Sequence, residues 1–358
     1  MKDPTHAQTA NALNLAEVLY EKGNGRARVT LNRPDSYNSY STPALGELEA
    51  ALRDAAVDDA VGVVVLTGAG DRAFCTGGDV KEYAARYTRR PRDYWKYMGQ
   101  FRATVEAILR CGKPVIARIN GMAVGGGNEI NLACDLSVMA EHAYLRQVGS
   151  QVGSVACGGA TQWLPLVVGD KRAREILLLN RPIPARQALE WGLVNRVVPS
   201  VVAGGSFLAN PSTEQIEKAQ RRADGYAIDL ARLDAEVDSL CDALLESFPE
   251  CARYTKLQVN TLKEQVWNQT IGHAGDWLAL HFACWEPLEG MRAFVEKRRP
   301  RYRELRQRAA DGLPTEWPWG AYARECGECG AKLLPESFAF CGVCGAKLPG
   351  SPGSGNRP

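Results

Sequence analysis

The sequence has no excess of charge of either sign. Its 43 lysine and arginine residues nearly balance 41 aspartate and glutamate residues, which leaves a net charge of +2. A chain so balanced has no overall field that attracts nucleic acid or an anionic membrane surface. We therefore expect neither of these as a partner.

Long apolar runs are also missing. No stretch reaches the ~20 apolar residues that a helix needs to cross a bilayer, and the N-terminal segment MKDPTHAQTANALN has no apolar signal core. These two absences predict a cytoplasmic protein. The chain has 358 residues, 45% of them hydrophobic, which allows two domains plus appendages.

The eleven cysteines do not form the pattern of a disulfide framework. Seven are scattered and are predicted to be reduced, mostly buried thiols: Cys75, Cys111, Cys134, Cys157, Cys241, Cys251 and Cys284. The other four lie in CGECGAKLLPESFAFCGVCG, as two CxxC pairs with eleven residues between them: Cys326, Cys329, Cys341 and Cys344. This spacing predicts a metal site.

Each CxxCG segment predicts a knuckle in which glycine permits a tight turn and amides face the thiolates. Four thiolates around tetrahedral zinc form a closed, structural site. About 25 residues cannot bury enough core alone, so the metal should hold the module together. Iron in a rubredoxin-like site and a redox pair remain alternatives. The module could serve interaction, stability or regulation, and its few basic and aromatic residues give little support for nucleic-acid binding.

Strands alternate with helices up to residue 199, which predicts βαβ units and an α/β fold with a largely parallel sheet. The predicted strands cover residues 27–31, 61–67, 114–119 and 136–139, and the predicted helices cover residues 41–55, 92–111 and 127–134. After residue 199 we expect a loop over 201–211 and helices over 212–247, 250–287 and 290–308. The predicted domains are a core (15–199), an insertion with a helical oligomerisation region (200–310), a linker (311–323), a zinc ribbon (324–348) and a flexible tail (349–358).

Three consecutive glycines stand out in RINGMAVGGGNEINLACDL, residues 118–136. They follow a predicted strand and lead into a helix, whose first N–H groups lack internal partners and attract a negatively charged oxygen. The loop has neither a P-loop lysine nor the GxGxxG spacing of a dinucleotide site, so an oxyanion or enolate is favoured, with Glu129 beside it to move a proton. The alternative is a tight helix–strand contact with a capping carboxylate.

A second glycine-rich turn, GAGDRAFCTGGDVKEY at residues 68–83, also joins a strand to a helix. An oxyanion hole needs N–H donors from two segments, and these two turns could supply them. Asp79 would cap the following helix.

Together, AFCTGGDVKEY, INGMAVGGGNEINLACDL and VGSVACGGATQWLPLVVGDKRAREILLLNRPIPARQALEWGLVNRVV resemble the crotonase (enoyl-CoA hydratase/isomerase) superfamily, from about Leu15 to about Arg301. The resemblance implies repeated ββα units, a helical C-terminal trimerisation region, and trimers or pairs of trimers. It implies an acyl-CoA substrate, with coenzyme A as the carrier and no redox cofactor. It also implies that the amides of Gly78 and Gly126 form the oxyanion hole and that Glu129 is the first of two catalytic glutamates.

Coenzyme A phosphates need cationic contacts, and the matching segments contain Arg33 and the run Lys297-Arg298-Arg299. The expected coenzyme A contacts are therefore Arg33, Gly77 and Lys297. The alternative for the basic run is a solvated helix end.

The position that matches the second glutamate is Gly149, which argues against an ordinary two-glutamate hydratase. Naphthoate synthases and 2-ketocyclohexanecarboxyl-CoA hydrolases share this loss but typically have aspartate where this chain has Ala156. PDSYNSYS, GGATQWLP and the region around SFPEC are most similar to the 6-oxocyclohex-1-ene-1-carbonyl-CoA hydrolases, which retain the glutamate after the triple glycine. The long insertion near residues 200–250 also fits that branch.

This branch implies hydration of a cyclic, unsaturated acyl-CoA followed by hydrolytic ring opening. The alternatives are a simple enoyl-CoA hydratase or isomerase, and a catalytically silent scaffold that recruits a protein partner through the zinc ribbon. The partner acid or base is not assigned, and its candidates are Gln147, Gln151, Cys157, Tyr83 and Asp79. Packing is the alternative role for Cys157.

Overall fold

A computed structural model describes residues 13–317, 319, 322 and 324–349. The predicted tail over 349–358 lies outside these residues from position 350 onward. The strands are β1 (Val18–Gly23), β2 (Arg26–Leu31), β3 (Val63–Gly68), β4 (Ala73–Cys75), β5 (Val115–Ile119), β6 (Met122–Val124), β7 (Leu136–Ala140), β8 (Tyr144–Arg146), β9 (Ile183–Pro184), β10 (Arg196–Val198), β11 (Val201–Ala203), β12 (Ser206–Phe207) and β13 (Tyr226–Ile228).

The helices lie between and after these strands. They are α1 (Thr42–Val57), α2 (Val80–Glu82), α3 (Pro91–Leu109), α4 (Gly126–Ala133), α5 (Gly149–Val152), α6 (Ala160–Val168), α7 (Asp170–Leu179), α8 (Ala185–Glu190), α9 (Thr213–Arg221), α10 (Ala231–Leu245), α11 (Pro249–His281), α12 (Trp285–Val295) and α13 (Tyr302–Ala310). A π-helical turn, Tyr83–Tyr87, continues α2. None of the described helices is both long enough and apolar enough to span a membrane.

The main sheet has the order β1-β2-β3-β5-β7-β10, and every pairing in it except β1–β2 is parallel. A second sheet has the order β4-β6-β8-β9. The chain alternates between the two sheets, because β3, β5 and β7 of the main sheet are each followed by a short strand of the second sheet and then by a helix. The predicted α/β fold of repeated ββα units is thereby confirmed.

The two faces of the main sheet are buried differently. Its inner face joins the large core with α1, α3 and the helices that surround the second sheet. On its outer face, Val65 and Ile116 pack against Leu233 and Val237 of α10. The buried Arg118 guanidinium also reaches across to Asp234 of that helix at 2.8 Å. The region after residue 199 therefore completes the core.

Predictions for residues 200–310 were partly wrong. The expected loop over 201–211 contains β11 and β12, which form a three-stranded antiparallel sheet with β13. The expected helix over 212–247 is divided into α9 and α10 by β13. Gly204 and Gly205 both adopt positive φ, at 58° and 78°, as the tight turn between β11 and β12 requires.

The helical stretches nearer the C-terminus are also shorter than expected. The stretch predicted over 250–287 ends as α11 at His281, and the one predicted over 290–308 is divided into α12 and α13. Lys297 lies between those two helices with φ of 53°, a conformation that a helix cannot contain. At the other end of the chain, β1 was not predicted, although Asn24-Gly25 is a strong hairpin signal and both residues have positive φ.

Candidate active site and metal centre

The two glycine-rich turns meet at the carboxyl ends of β4 and β6. Gly77 has φ of 85°, and a Cβ on it would lie 2.9 Å from the amide nitrogen of Gly126. A Cβ on Gly127 would lie 2.0 Å from the carbonyl oxygen of Cys75. Only glycine allows this approach of one backbone to the other. The tight contact considered as the alternative for the triple glycine is therefore present, and it brings the two turns together.

Backbone pairing determines which amides remain available. Tyr40 forms a parallel bridge with Gly78, in which the Tyr40 amide donates to Gly77 and the Asp79 amide donates to Tyr40, at 2.9 and 3.0 Å. This pattern leaves out the amide of Gly78. The amide of Gly126 lies in the first turn of α4, where helical N–H groups have no internal acceptor. Within the described residues, neither amide has a hydrogen-bond acceptor.

A cavity of about 650 Å³ opens at this junction. Its wall contains both glycine turns, the carboxyl group of Glu129 and a group of aromatic side chains. The lining residues include Tyr40, Gly78, Tyr83, Tyr97, Gly126 and Glu129. The cavity combines a mainly apolar wall with a few polar groups, as small-molecule sites usually do.

Glu129 is the buried carboxyl group of this cavity. It lies in the first turn of α4, is 6% exposed and accepts a hydrogen bond from the amide of Ala160 at 3.3 Å. Burial raises its pKa from 4.5 to about 7, against the lowering effect of hydrogen bonds from Ala160 and Gly158. A carboxyl group with this pKa can both accept and donate a proton near neutral pH.

Four tyrosines line the same cavity, of which Tyr40, Tyr94 and Tyr97 are buried and Tyr83 is half-buried. The hydroxyl groups of Tyr83 and Tyr97 are hydrogen-bonded to each other. A Cβ on Gly78 would overlap the Tyr83 hydroxyl at 1.6 Å, and a Cβ on Gly126 would overlap the Tyr40 hydroxyl at 1.8 Å. The two glycines therefore also make room for phenol groups. Sequence reasoning considered only Tyr83.

The other acid–base candidates differ in their surroundings. Asp79 caps α2 and pairs with Arg33 at 3.0 Å, as expected for a capping residue. Cys157 is buried, and burial together with the nearby Glu129 carboxylate raises its thiol pKa well above the usual range.

The Gln147 side chain is buried against the cavity and its Oε1 has no partner in the described part of the chain, so this oxygen can accept a hydrogen bond from a water or a ligand. Gln151 lies in the cavity wall, where its Oε1 accepts from Arg146 at 2.8 Å.

The segment that matches the second family glutamate is the short helix α5. It begins at Gly149, which lines the cavity, and a Cβ there would lie 3.0 Å from the carbonyl oxygen of Ser154. The C-terminal helices hold α5 in place, because Gly290 of α12 packs against Val152 and the Tyr302 hydroxyl donates to Gln151 at 2.8 Å. This wall offers no carboxylate at position 149.

The expected coenzyme A residues are divided between two places. Gly77 and Lys297 line the cavity, whereas Arg33 is not among its lining residues. Arg33 forms ion pairs with Glu17 at 3.2 Å and with Asp79. In the basic run, Arg298 pairs with Glu289 and Glu296, at 2.5 and 2.6 Å. Lys297 is therefore the residue of the run that lies at the cavity.

The four C-terminal cysteines converge on one point. Their sulfur atoms all lie within 4.8 Å of one another, and two Sγ–Sγ distances are 3.7 Å, between Cys326 and Cys344 and between Cys329 and Cys341. Four sulfurs about 2.3 Å from a tetrahedral ion are about 3.8 Å apart, whereas a disulfide requires about 2 Å. The donor set therefore fits a metal ion.

The two halves of the module are alike. In each knuckle the glycine after the second cysteine has positive φ, 70° for Gly330 and 76° for Gly345, and donates to the carbonyl of the first cysteine at 2.9 Å. The Val343 amide also faces the Cys341 sulfur at 3.4 Å. Such a module, with four cysteines and short antiparallel bridges, has the character of a zinc ribbon.

Comparison with known proteins gives consistent results. The family model described as enoyl-CoA hydratase/isomerase matches residues 21–210. A 6-oxocyclohex-1-ene-1-carbonyl-CoA hydrolase of Geobacter metallireducens is 39% identical over 326 residues, covering 84% of this chain and 84% of that protein. One of Thauera aromatica is 37% identical over 334 residues, covering 83% and 88%. The crystal structure of an enoyl-CoA hydratase from Mycobacterium avium subsp. paratuberculosis K-10 is similar with a TM-score of 0.64 and 28% identity, covering 80% of this chain and 98% of that one.

Proposed function

The chain belongs to the enoyl-CoA hydratase/isomerase family, and from that premise we propose that it hydrates a cyclic α,β-unsaturated acyl-CoA and then opens the ring by hydrolysis. The proposed substrate is 6-oxocyclohex-1-ene-1-carbonyl-CoA, which is the substrate in the names of the two relatives. The observation that carries the proposal is that Gly78 and Gly126, whose amides have no acceptor among the described residues, line one cavity with a carboxyl group whose pKa is about 7.

In the first step, the thioester oxygen accepts hydrogen bonds from the amides of Gly78 and Gly126. The Glu129 carboxylate removes a proton from water as the water oxygen attacks the carbon β to the thioester. The electron pair of the double bond moves to the thioester, and the two amides stabilise the enolate that forms. One such donor typically contributes ~100–1,000-fold to the rate. Glu129 can then return the proton to the α carbon.

In the second step, a second water attacks the ring ketone and again loses a proton to Glu129. The bond between the ketone carbon and the α carbon breaks, and its electron pair becomes an enolate of the same thioester. That enolate takes the proton back from Glu129 at the α carbon, and the former ketone carbon becomes the carboxyl group at the far end of the opened chain. The two steps together thus use the same oxyanion hole twice and consume two waters, one for hydration and one for ring opening. No step requires a redox cofactor.

Mass spectrometry of the products tests this function. The wild-type protein should convert 6-oxocyclohex-1-ene-1-carbonyl-CoA to a product heavier by two waters, and the Glu129→Gln variant should bind the ester without turnover. A product heavier by only one water, whether from this substrate or from crotonyl-CoA, would instead identify a hydratase. No reaction with either ester would support the silent scaffold and overturn the proposal.

Coenzyme A would lie at the side of the cavity that Lys297 lines. Lys297 has no ion-pair partner among the described residues, whereas the neighbouring Arg298 is neutralised by two glutamates. Lys297→Ala should therefore raise KM for the CoA ester, with little effect on kcat. Arg33→Ala is the comparison, and an equal increase in KM in both variants would place the nucleotide near Arg33 as well.

Zinc is the metal that we propose for Cys326, Cys329, Cys341 and Cys344. Four thiolates with the spacing described above favour zinc, which would link the two knuckles and so stabilise the module. Elemental analysis of the purified protein should give one zinc per chain. One iron per chain, with the absorption of an iron–thiolate centre, would identify the rubredoxin-like alternative.

We also propose a trimer or hexamer, in keeping with the family resemblance. Large apolar side chains on α11 and α12 are exposed in the single chain, including Val259 at 70%, Leu280 at 68% and Phe294 at 55%. Patches of this kind commonly mark subunit interfaces. Light scattering during gel filtration should give three or six times the mass of the chain, and a monomer would contradict the assignment.

A further inference from the structure

Three phenol groups lie together in the cavity wall, those of Tyr83, Tyr97 and Tyr40, and we call them the phenol chain. The Tyr97 hydroxyl is hydrogen-bonded to that of Tyr83 and lies close to that of Tyr40. The three tyrosines come from separate segments: the loop before α1, the π-helical turn after α2, and α3. All three line the cavity, where Tyr40 and Tyr97 are buried and Tyr83 is half-buried.

The hydrogen-bonded pair of Tyr83 and Tyr97 has one proton more than it uses. Each hydroxyl carries one hydrogen, so two hydroxyls joined by one hydrogen bond leave one O–H group without an acceptor in the pair. Burial raises the pKa of each phenol well above 10, so all three remain protonated donors at neutral pH. The surplus proton can be offered to an acceptor in the cavity.

Packing alone does not require these hydroxyl groups. Phe101 stacks on Tyr40, and Phe282 stacks on Tyr94 in the same wall, so this wall accommodates phenylalanine. A buried hydroxyl costs free energy unless it is hydrogen-bonded, and within the phenol chain the observed hydrogen bond joins only Tyr83 and Tyr97. The arrangement thus points towards a ligand oxygen.

The position of the chain identifies the oxygen. Its two ends contact the backbone of the proposed oxyanion glycines, Tyr83 at Gly78 and Tyr40 at Gly126. An acceptor held by the phenols would therefore lie next to a thioester oxygen held by the two amides. Two neighbouring oxygens of this kind occur in a 1,3-dicarbonyl compound, such as a thioester whose α carbon also bears a ketone.

We propose that the Tyr83–Tyr97–Tyr40 chain is a second oxyanion site that binds the ring ketone of the substrate. When water adds to that ketone, its oxygen becomes an alkoxide, and the phenol chain donates a hydrogen bond to it. Collapse of the alkoxide to a carboxyl group breaks the bond to the α carbon, whose electron pair passes to the thioester enolate held by Gly78 and Gly126. This inference rests on the proposed ring-opening function and assigns its second step to particular residues.

Conservative variants separate the two steps. Tyr83→Phe and Tyr40→Phe remove one hydroxyl from either end of the chain, and each should slow ring opening by ~100–1,000-fold, the usual effect of losing an oxyanion donor. Hydration should fall by less than ~10-fold, because the thioester oxygen keeps its amides. With 6-oxocyclohex-1-ene-1-carbonyl-CoA, the variants should therefore accumulate the product of one water, whereas the wild type releases the product of two.

Tyr87→Phe is the matched control, since Tyr87 is a buried phenol of the same aromatic group that does not line the cavity. It should release the two-water product at the wild-type rate. Thermal unfolding of each variant shows whether the fold is retained, and Tyr40→Phe provides the test if Tyr83→Phe does not fold.

The outcomes are distinct. Ring opening at the wild-type rate in folded Tyr83→Phe and Tyr40→Phe would overturn the second oxyanion site. Equal loss of both steps would also overturn it, because the phenols would then serve hydration. If the wild-type protein itself forms no two-water product, the ring-opening function fails, and this inference fails with it.

Discussion

Replacing Glu129 with glutamine should abolish activity and at the same time make the stability of the protein less dependent on pH. The pKa of Glu129 is raised from 4.5 to about 7. One pKa unit corresponds to about 1.4 kcal/mol, so the ionised carboxylate destabilises the folded state by about 3 kcal/mol relative to its protonated form.

The sign follows from the two protonation states. Above pH 7 the carboxyl group is ionised in both the folded and the unfolded chain, and the penalty is complete. Below pH 4.5 it is protonated in both, and the penalty is absent. The Glu129→Gln variant lacks this titration, so its advantage over the wild type should grow by about 3 kcal/mol as the pH rises from 4.5 to 7. The glutamine NH₂ group lies near the Gly158 amide and has a free-energy cost there. This cost is the same at every pH, so it does not change how the stability difference varies with pH.

Thermal unfolding at a fixed protein concentration measures this difference. For a chain of this size, about 3 kcal/mol corresponds to a change of about 5 °C in the Tm difference between variant and wild type. Glu289→Gln is the matched control, because its hydrogen bond and ion pair with Arg298 lower the pKa of Glu289. Its folded-state pKa is depressed, so this carboxylate stabilises the fold above pH 4.5 and loses that effect as the pH falls. Glu289→Gln should therefore be least stable, relative to wild type, at high pH. Parallel Tm curves for Glu129→Gln and wild type across this range would refute the reasoning.

Three further perturbations test the base, the glycine turn and the metal module separately. If the Glu129 carboxylate is the base, kcat/KM should fall on the acid side with a midpoint near pH 7, by about 30-fold between pH 8 and pH 5.5; a flat profile would exclude this role. Gly127→Ala places a Cβ 2.0 Å from the Cys75 carbonyl and should destabilise the protein by about 1–3 kcal/mol in thermal unfolding, whereas Gly46→Ala, which meets no atom within 4 Å in α1, should be neutral or slightly stabilising. Removing the metal with a chelator should unfold residues 324–348, detected as rapid hydrogen exchange in that segment, while the Tm of the remaining chain stays the same; unchanged protection there would show that the metal is dispensable for the module.

The family and the repeated ββα units could be predicted because their motifs lie in continuous segments. A glycine turn between a strand and a helix is a local pattern, and the resemblance covers several such patterns in order. The same applies to the four cysteines, whose spacing alone indicates a metal site and whose sulfur atoms do converge. The catalytic roles of Gly78, Gly126 and Glu129 stay predictions, although the structure places all three at one cavity.

The phenol chain could not be predicted in this way. Tyr40, Tyr83 and Tyr97 are distant in sequence, and helical periodicity in α3 indicates only that Tyr97 faces inward. Whether an inward tyrosine meets the core or a cavity depends on which other segments face it, and this is set by tertiary packing. The small sheet after residue 199 was missed for a different reason. Its strands have two or three residues each, too short for a periodic pattern, although Gly204-Gly205 was a usable turn signal.

A crystal structure of the Glu129→Gln variant with 6-oxocyclohex-1-ene-1-carbonyl-CoA bound is the most direct test of the proposed chemistry. We predict that the thioester oxygen lies about 3 Å from the amide nitrogens of both Gly78 and Gly126, with the ring ketone facing the hydroxyl groups of Tyr83, Tyr97 and Tyr40. A thioester oxygen that contacts neither amide, in a cavity that otherwise holds the ester, would contradict the oxyanion hole on which the mechanism depends.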